Sequence, residues 1–292
     1  MVRARLVTSG IVIVGIAAAL LAAVHLRPVR TSLAGWATER LRDAGIEARF
    51  RDVSYNLLTL RFTVRDVVLA ARGSETVPFL RADELSVTLP WSVVGGRAAA
   101  RAIQAINLRL DFVRRPDGSW NLPISRDSQA ASLTRFDVNR LLVQNASVLY
   151  RDEARDVAVV TEAITIDLLP RSSGVIAGPL VIGKGPRIRV GGRESVATHA
   201  MGRLAFDGAS VLLEGLDYDA PEGRLSAQGK LDSVFSQPRS AVEMTGDVSL
   251  GRLSPWLALD PNAEGTVAVR ASITGALSEP TARVGLESQN VS

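Results

Sequence analysis

Gly178, Gly183 and Lys184 come closest to a nucleotide-binding signature. A Gly-x4-Gly-Lys run cradles phosphates when a Ser or Thr follows to hold magnesium and a helix begins there. Gly185 and Pro186 follow instead, and Leu180-Val181-Ile182 reads as a strand, so the spacing implies no phosphate chemistry. His199 stands near Glu194, Ser195 and Thr198, residue types that serve nucleophilic catalysis; without a nucleophile elbow the reading is a surface histidine. Asp152, Glu153 and Asp156 sit beside Arg151 and Arg155, which predicts an exposed ion-pair cluster at a turn and not an acid–base pair. The chain has no cysteine, and His25 and His199 are its only histidines, so thiolate sites and multi-histidine metal centres are excluded. Asn145-Ala-Ser147 and Asn290-Val-Ser292 fit the glycosylation triplet, which matters only in a eukaryotic secretory route. The reading is therefore a non-enzyme with no metal and no cofactor.

The elements around these residues alternate with a period of two. Ile46, Ala48 and Phe50 alternate with charged residues, and Leu58, Leu60, Phe62 and Val64 alternate with Thr59, Arg61, Thr63 and Arg65. Leu85, Val87 and Leu89 repeat the pattern, as do Ile106, Leu108, Leu110 and Phe112. This is the signature of half-buried strands. Arg114-Arg115-Pro116-Asp117-Gly118-Ser119 carries a turn signal, after which Trp120-Asn121-Leu122-Pro123 resumes an extended path. Beyond a polar linker at Ser125–Ser132, short alternating pieces continue through Ile164, Ile166, Leu168 and Ile188 to Val267, Val269 and Ile273; Leu250–Leu259 reads as a helical turn. A last strand at Ala282, Val284 and Leu286 would leave an apolar edge, which suggests the N-terminal piece of a longer protein.

Composition sets the class. At 292 residues, 47% hydrophobic and 22% charged, the chain folds, as about two ordinary domains or one large β-architecture. The pI of about 10.1 comes from 34 Lys and Arg against 30 Asp and Glu, of which only Lys184 and Lys230 are lysines. Most arginines stand singly between apolar residues, as in Leu60-Arg61-Phe62, and no basic stripe suits a nucleic acid.

Leu6–Leu26 carries no formal charge and is long enough to span a bilayer's hydrocarbon core of about 30 Å as a helix. The apolar run is long and lacks a polar cleavage region, which favours an uncleaved anchor over a signal peptide cut near Ala17-Ala18-Ala19. Its flanking arginines are nearly balanced, so the short N-terminal tail decides for an inside N-terminus. Thr31–Ala44 places Leu33, Trp36, Ala37, Leu41 and Ala44 at helical spacing, a short amphipathic helix stopped by Gly45. The organisation expected is a cytoplasmic tail and anchor (1–30), a β-module with a short helix (31–124), a linker (125–135) and further β-strand repeats (136–292).

Several of these stretches resemble the N-terminal part of the AsmA-like superfamily, which includes TamB-type translocation and assembly proteins. The likeness rests on the anchor, Arg49-Phe50-Arg51-Asp52-Val53-Ser54, the Leu58–Leu69 strand pair, Phe79–Val87, the Arg114–Leu122 segment with its Asp-Gly-Ser-Trp-Asn core, and the Ile273–Pro280 turn. The resemblance implies a mainly β fold: a curled, taco-like antiparallel groove anchored to the bacterial inner membrane, with the bulk of the chain in the periplasm. It implies transport of membrane phospholipid between the inner and outer membranes, or outer-membrane assembly.

In such a groove the apolar face stays uncovered and acyl chains take the place of the missing core. The residues expected to line it are Leu60, Phe62, Val64, Leu85, Val87, Leu89, Leu108, Leu110, Phe112, Ile164, Ile166, Leu168, Val267, Val269 and Ile273. Pattern alone favours these side chains filling the dry interior of a β-sandwich or barrel; the anchor and the resemblance turn the reading to the groove. A filled sandwich would be an interaction scaffold, recruiting an outer-membrane β-barrel assembly partner by strand addition.

Overall fold

A computed structural model describes residues 45–56, 58–73, 77–91, 99–122, 137–234, 238–257, 264–276 and 281–291, together with Glu39, Leu41 and Arg42, which are helical. Among the described residues no helix is long and apolar enough to cross a membrane. Leu6–Leu26, the Ser125–Ser132 linker and most of Thr31–Ala44 lie outside them.

The N-terminal strands are β1 (Ile46–Arg49), β2 (Asp52–Asn56), β3 (Arg61–Ala71), β4 (Leu80–Thr88), β5 (Ala99–Ala100), β6 (Ala102–Ile106), β7 (Arg109–Arg114) and β8 (Asp137–Val138). Next come β9 (Leu141–Asp152), β10 (Val157–Ser172), β11 (Val175–Val190), β12 (Arg193–Val196) and β13 (His199–Phe206). The series closes with β14 (Val211–Ala220), β15 (Gly223–Asp232), β16 (Arg239–Ser249), β17 (Gly265–Ala276) and β18 (Thr281–Val291). One helix, α1 (Leu250–Leu257), stands between β16 and β17 and touches both. All strands but β5 and β8 join one 16-stranded sheet, so the mainly β expectation holds. From β9 onward it is a meander in which each strand pairs with the one before it, except that β12 folds back on one part of β11 and β13 pairs with another part of β11 instead of with β12.

The sheet is mixed where an antiparallel one was expected. β6 and β7 both run parallel to β9, and the short β5 runs parallel to β8. Parallel neighbours need a long connection, and residues 123–136 supply it. The strand junction falls there, so one continuous sheet runs through the segments on either side of the linker.

Left-handed residues lie in a row across the first half of the sheet. Asp66, Asn107, Asn145 and Ala163 have φ between 49° and 53°, and the flanking pairs Arg65↔Glu84, Glu84↔Ile106 and Ile106↔Gln144 hold the first three at one level. Asn145 Nδ2 donates to Asn107 Oδ1 (2.7 Å), and Asn107 Nδ2 donates to Asp83 Oδ2 (2.6 Å). Asn and Asp tolerate this conformation because their short polar side chains bond locally. Each such residue slips the in–out alternation, as a bulge does. Val143 and Ala146 are three residues apart and still share one buried cluster with Ala105 and Ile164. The expected continuous strand through Ile106, Leu108 and Leu110 is broken at this row, between β6 and β7.

The Arg114–Leu122 turn shows what its residues do. Asp117 Oδ1 accepts from the Ser119 N–H (2.8 Å), and Gly118 takes φ +82°. Trp120 bridges back to Arg114 and packs its ring 6.1 Å from that of Tyr150. Asn121, 1% exposed, works as a piece of strand made from a side chain: Oδ1 accepts from the Val113 N–H (2.9 Å) and Nδ2 donates to the Asp111 carbonyl (2.7 Å).

Candidate functional site

Side chains directly opposite one another on paired strands share a face of the sheet. Followed strand by strand, the pairings give long rows in which every member is apolar or glycine. One runs Tyr55, Phe62, Val87, Ile103, Leu141, Leu168. It passes Gly178, packed against Leu168, and goes on through Leu204, Leu213, Gly229, Val242, Ile273 and Ala282. Beside it runs Val53, Val64, Leu85, Ala105, Val143, Ile166, Leu180, Gly202, Leu216, Ala227, Met244, Ala271 and Val284. Ala146, Ile164 and Ile182 begin a third row, and Ala200, Tyr218, Leu225, Gly246, Val269 and Leu286 make its counterpart in the later strands. The apolar face therefore extends from β2 to the last strand.

The opposite face is mostly polar. Gln228, Glu243, Ser272 and Arg283 form one row, and Asp217, Ser226, Thr245 and Arg270 another. Ion pairs lace it: Arg61 and Arg65 to Glu84, Arg140 to Asp167 (3.0 Å), Arg171 and Arg203 to Glu214. Leu142, Leu149, Val160, Leu169, Val181, Met201 and Leu212 are among its apolar exceptions.

The predicted lining residues divide by burial. Leu168 (2% exposed), Val267 (5%) and Ile164 (7%) are sealed, and Ile273 is 37% exposed. Leu60, Phe62, Val64, Leu85, Val87, Leu89, Leu108, Leu110, Phe112, Ile166 and Val269 are half-buried. Leu110 and Phe112 lie opposite Val148 and Tyr150, and Leu108 packs on the Ala105–Ile164 cluster. Leu60 is not in a strand as expected: it ends the turn after β2 with φ +50°, and its carbonyl accepts from the Leu89 N–H (3.0 Å), pinning both leucines to one end of the sheet. Alternation also reaches members that the sequence reading did not place on the lining, notably Leu213, Leu225, Val242 and Met244. Their period of two was legible, but the face they share is set by pairing, which no single strand carries.

Cover is thinnest in the later strands. Leu213, Leu216, Leu225, Val242, Met244 and Ala271 are only half-buried although they sit mid-face, and Val284 and Leu286 on β18 are 67% and 54% exposed. A sealed sandwich interior would bury side chains in these places almost completely.

The polar residues considered for chemistry are scattered. Gly178, Gly183 and Lys184 all lie within β11, in extended backbone. His199 is exposed at the start of β13. Asp152 departs from the expected exposed cluster: it is 1% exposed, accepts from the Ala154 and Arg155 N–H groups (3.1 and 3.2 Å) and pairs with Arg114 (3.3 Å). A buried carboxylate needs such partners, and here they cap the β9–β10 turn. One further polar group sits at the rim of the apolar face, where Ser195 Oγ donates to Glu222 Oε2. Burial, with the Glu222 charge second, pushes the Tyr218 phenol above its ordinary range, and a hydrogen bond with Ser195 partly offsets the shift. Among the described residues no group of His, Cys, Asp and Glu could hold a metal ion.

A scan against protein-family models matches none, and a search of curated proteins finds no significant relative.

Proposed function

We propose that this chain is a membrane-anchored, non-enzymatic carrier of phospholipid acyl chains in the bacterial envelope, and that the apolar face of the sheet is the surface the chains lie on. The single observation carrying this reading is the set of unbroken apolar rows that stay half-open mid-face. Burial of an acyl chain is worth about 0.8 kcal/mol per CH2, which such a face offers without any specific polar contact. Curling of the sheet into a trough would raise that contact further. The polar opposite face of the later strands, where Gln228, Glu243, Thr245 and Arg270 are exposed, would stand in water. Leu6–Leu26 would hold the protein in the inner membrane with the sheet in the periplasm, and the face would ease lipid passage toward the outer membrane or support assembly there.

Neighbouring positions on β16 give the test. A photo-crosslinking amino acid at Met244, on the apolar face, or at Phe62 should yield phospholipid adducts in a bacterial envelope, while the same group at Thr245, on the polar face, should yield none. Equal yields at Met244 and Thr245, or no lipid at Phe62 and Met244, would overturn the reading.

A further inference from the structure

Glu222 stands in the tight turn between β14 and β15, half-buried at the rim of the apolar face. Its Oε2 accepts from Ser195 Oγ of β12, a side chain only 9% exposed. Ser195 lies opposite Ile188 and so ends the apolar row of Phe112, Tyr150, Val159 and Ile188. Among the described residues no arginine, lysine or histidine forms an ion pair with Glu222. The cations nearby are engaged elsewhere: Arg224 pairs with Asp219 (3.0 Å) and Arg187 with Glu194 (3.8 Å). Arg193 differs. It is exposed, shares a side of β12 with Ser195, and has no acidic partner among the described residues. We propose that this niche holds the headgroup of phosphatidylethanolamine, with its ammonium on Glu222 and its phosphate on Arg193.

The chemistry of the niche selects that headgroup. A carboxylate held partly out of water with a hydroxyl as its partner keeps its charge uncompensated, and a cation is what it lacks. The Glu222 charge and the Ser195 hydroxyl both act on the Tyr218 phenol, so the three groups converge. Glu222 and the Tyr218 oxygen offer lone pairs, and a primary ammonium brings three N–H donors to them. A quaternary ammonium brings none, and an anionic headgroup leaves Glu222 unpaired beside a second negative charge. The Arg193 guanidinium suits phosphate. Residues two apart on a strand are about 6.6 Å apart, so the two opposite charges flank Ser195 as the ammonium and phosphate follow each other in the headgroup. Leu216, two residues before Tyr218, opens the mid-face row of Ala227, Met244 and Ala271. A headgroup at the niche therefore leaves its chains on the half-open part of the face.

The headgroup site rests on the acyl-chain reading above, and its test keeps the two apart. The full chain, with a photo-crosslinker at Met244, is reconstituted in vesicles of equal parts phosphatidylethanolamine, phosphatidylcholine and phosphatidylglycerol with the same acyl chains. Mass spectrometry then identifies the adducts. Phosphatidylethanolamine should exceed each of the others about tenfold, the difference one charged hydrogen-bonded contact makes. Glu222→Gln keeps the shape and the Ser195 partner, and should bring the three lipids close to equality while adducts still form. Glu222→Lys should turn the preference to phosphatidylglycerol. Glu194→Gln, on the other side of β12, should change nothing. Excess glycerophosphoethanolamine, which has no acyl chains, should not displace the lipid. Equal yields from the three lipids in the unaltered chain, or a preference that survives Glu222→Gln, would overturn the headgroup site and leave the acyl-chain face standing. No adduct from any lipid would overturn both, and displacement by glycerophosphoethanolamine would overturn the assignment to a membrane lipid.

Discussion

A carboxylate placed in the middle of the apolar face separates an open lipid surface from a closed core. Met244 is half-buried on β16, between Ala227 of β15 and Ala271 of β17. Strands are about 4.8 Å apart and a methylene advances an extended chain by about 1.3 Å, so roughly four CH2 groups would pass over each strand. At about half of the 0.8 kcal/mol per CH2 for complete burial, each strand crossed contributes about 1.5 kcal/mol. A charge at 244 would lift the chain off β16 and off half of each neighbour, a loss of about 3 kcal/mol, or more than a hundredfold in occupancy. Met244→Glu should therefore abolish the lipid adduct at a photo-crosslinker placed at Ala271, directly opposite it on β17. Thr245→Glu, one residue on and facing water, should leave it unchanged.

The same substitution reads the face a second way. On a half-open face the new carboxylate reaches water, and the fold should lose about 1 kcal/mol; inside a sealed sandwich an unpaired charge would cost several. Urea unfolding of Met244→Glu gives that number independently of any lipid. A variant that folds almost normally but loses the lipid adduct at Ala271 fits the acyl-chain surface. One that cannot fold would refute the open face, and one that folds and keeps the adduct would refute its use.

Other expectations follow from single residues. Asn121→Ala leaves the Val113 N–H and the Asp111 carbonyl buried without their side-chain partner, and should lower stability by about 2–4 kcal/mol in denaturant unfolding. A β-carbon at Gly229 would stand 2.6 Å from the Val242 Cα, whereas one at Gly215 meets nothing within 4 Å. Gly229→Ala should therefore cost about 2 kcal/mol or more and Gly215→Ala less than about 0.5, compared by midpoint shift. Tyr218 keeps its proton to a higher pH in the folded chain than in the unfolded one, so the unfolded state ionises first and stability falls as pH rises past the ordinary tyrosine range. Tyr218→Phe should flatten that alkaline loss, followed by the unfolding midpoint between pH 9 and 11, roughly the range where free tyrosine titrates.

What could be read from the sequence was whatever a single strand carries in its own period. Phe62 and Val64, or Val267 and Val269, announce which side of their strand is apolar, because alternate residues must face alternate ways. The Asp-Gly-Ser-Trp-Asn segment also spoke for itself, since Asp117 and Gly118 build its turn locally. The parallel entry of β9 beside β6 and β7 was not legible, because it depends on where a long connection returns the chain and not on the residues of the strands. Nor was the left-handed row. Asn107 sits in a run that alternates without fault, Ile106-Asn107-Leu108, and only its hydrogen-bonded neighbours Asp83 and Asn145 reveal that it interrupts the strand.

That row bears on what the face can do. Strict alternation over strands as long as β10 and β11, 16 residues each, keeps one side apolar only while no register slips. In the first half of the sheet the slips fall at neighbouring positions: Asn145 against Asn107, and Ala163 with Gly183 close against it, a β-carbon there lying 3.2 Å from the Ala163 Cβ. Taken together by adjacent strands, the slip leaves Val143 and Ala146 on the same side and the face unbroken. In the later half β14 takes its extra residue alone, between Leu213 and Leu216, and the rows on either side stay apolar. Glycines act to the same end further along, since Gly178, Gly202, Gly229 and Gly246 occupy row positions whose backbone leaves no space for a side chain. Continuity of the apolar face is thus a property of the sheet, maintained at the positions where single strands depart from regularity, and a surface that long hydrocarbon chains slide along requires that continuity more than it requires any one residue.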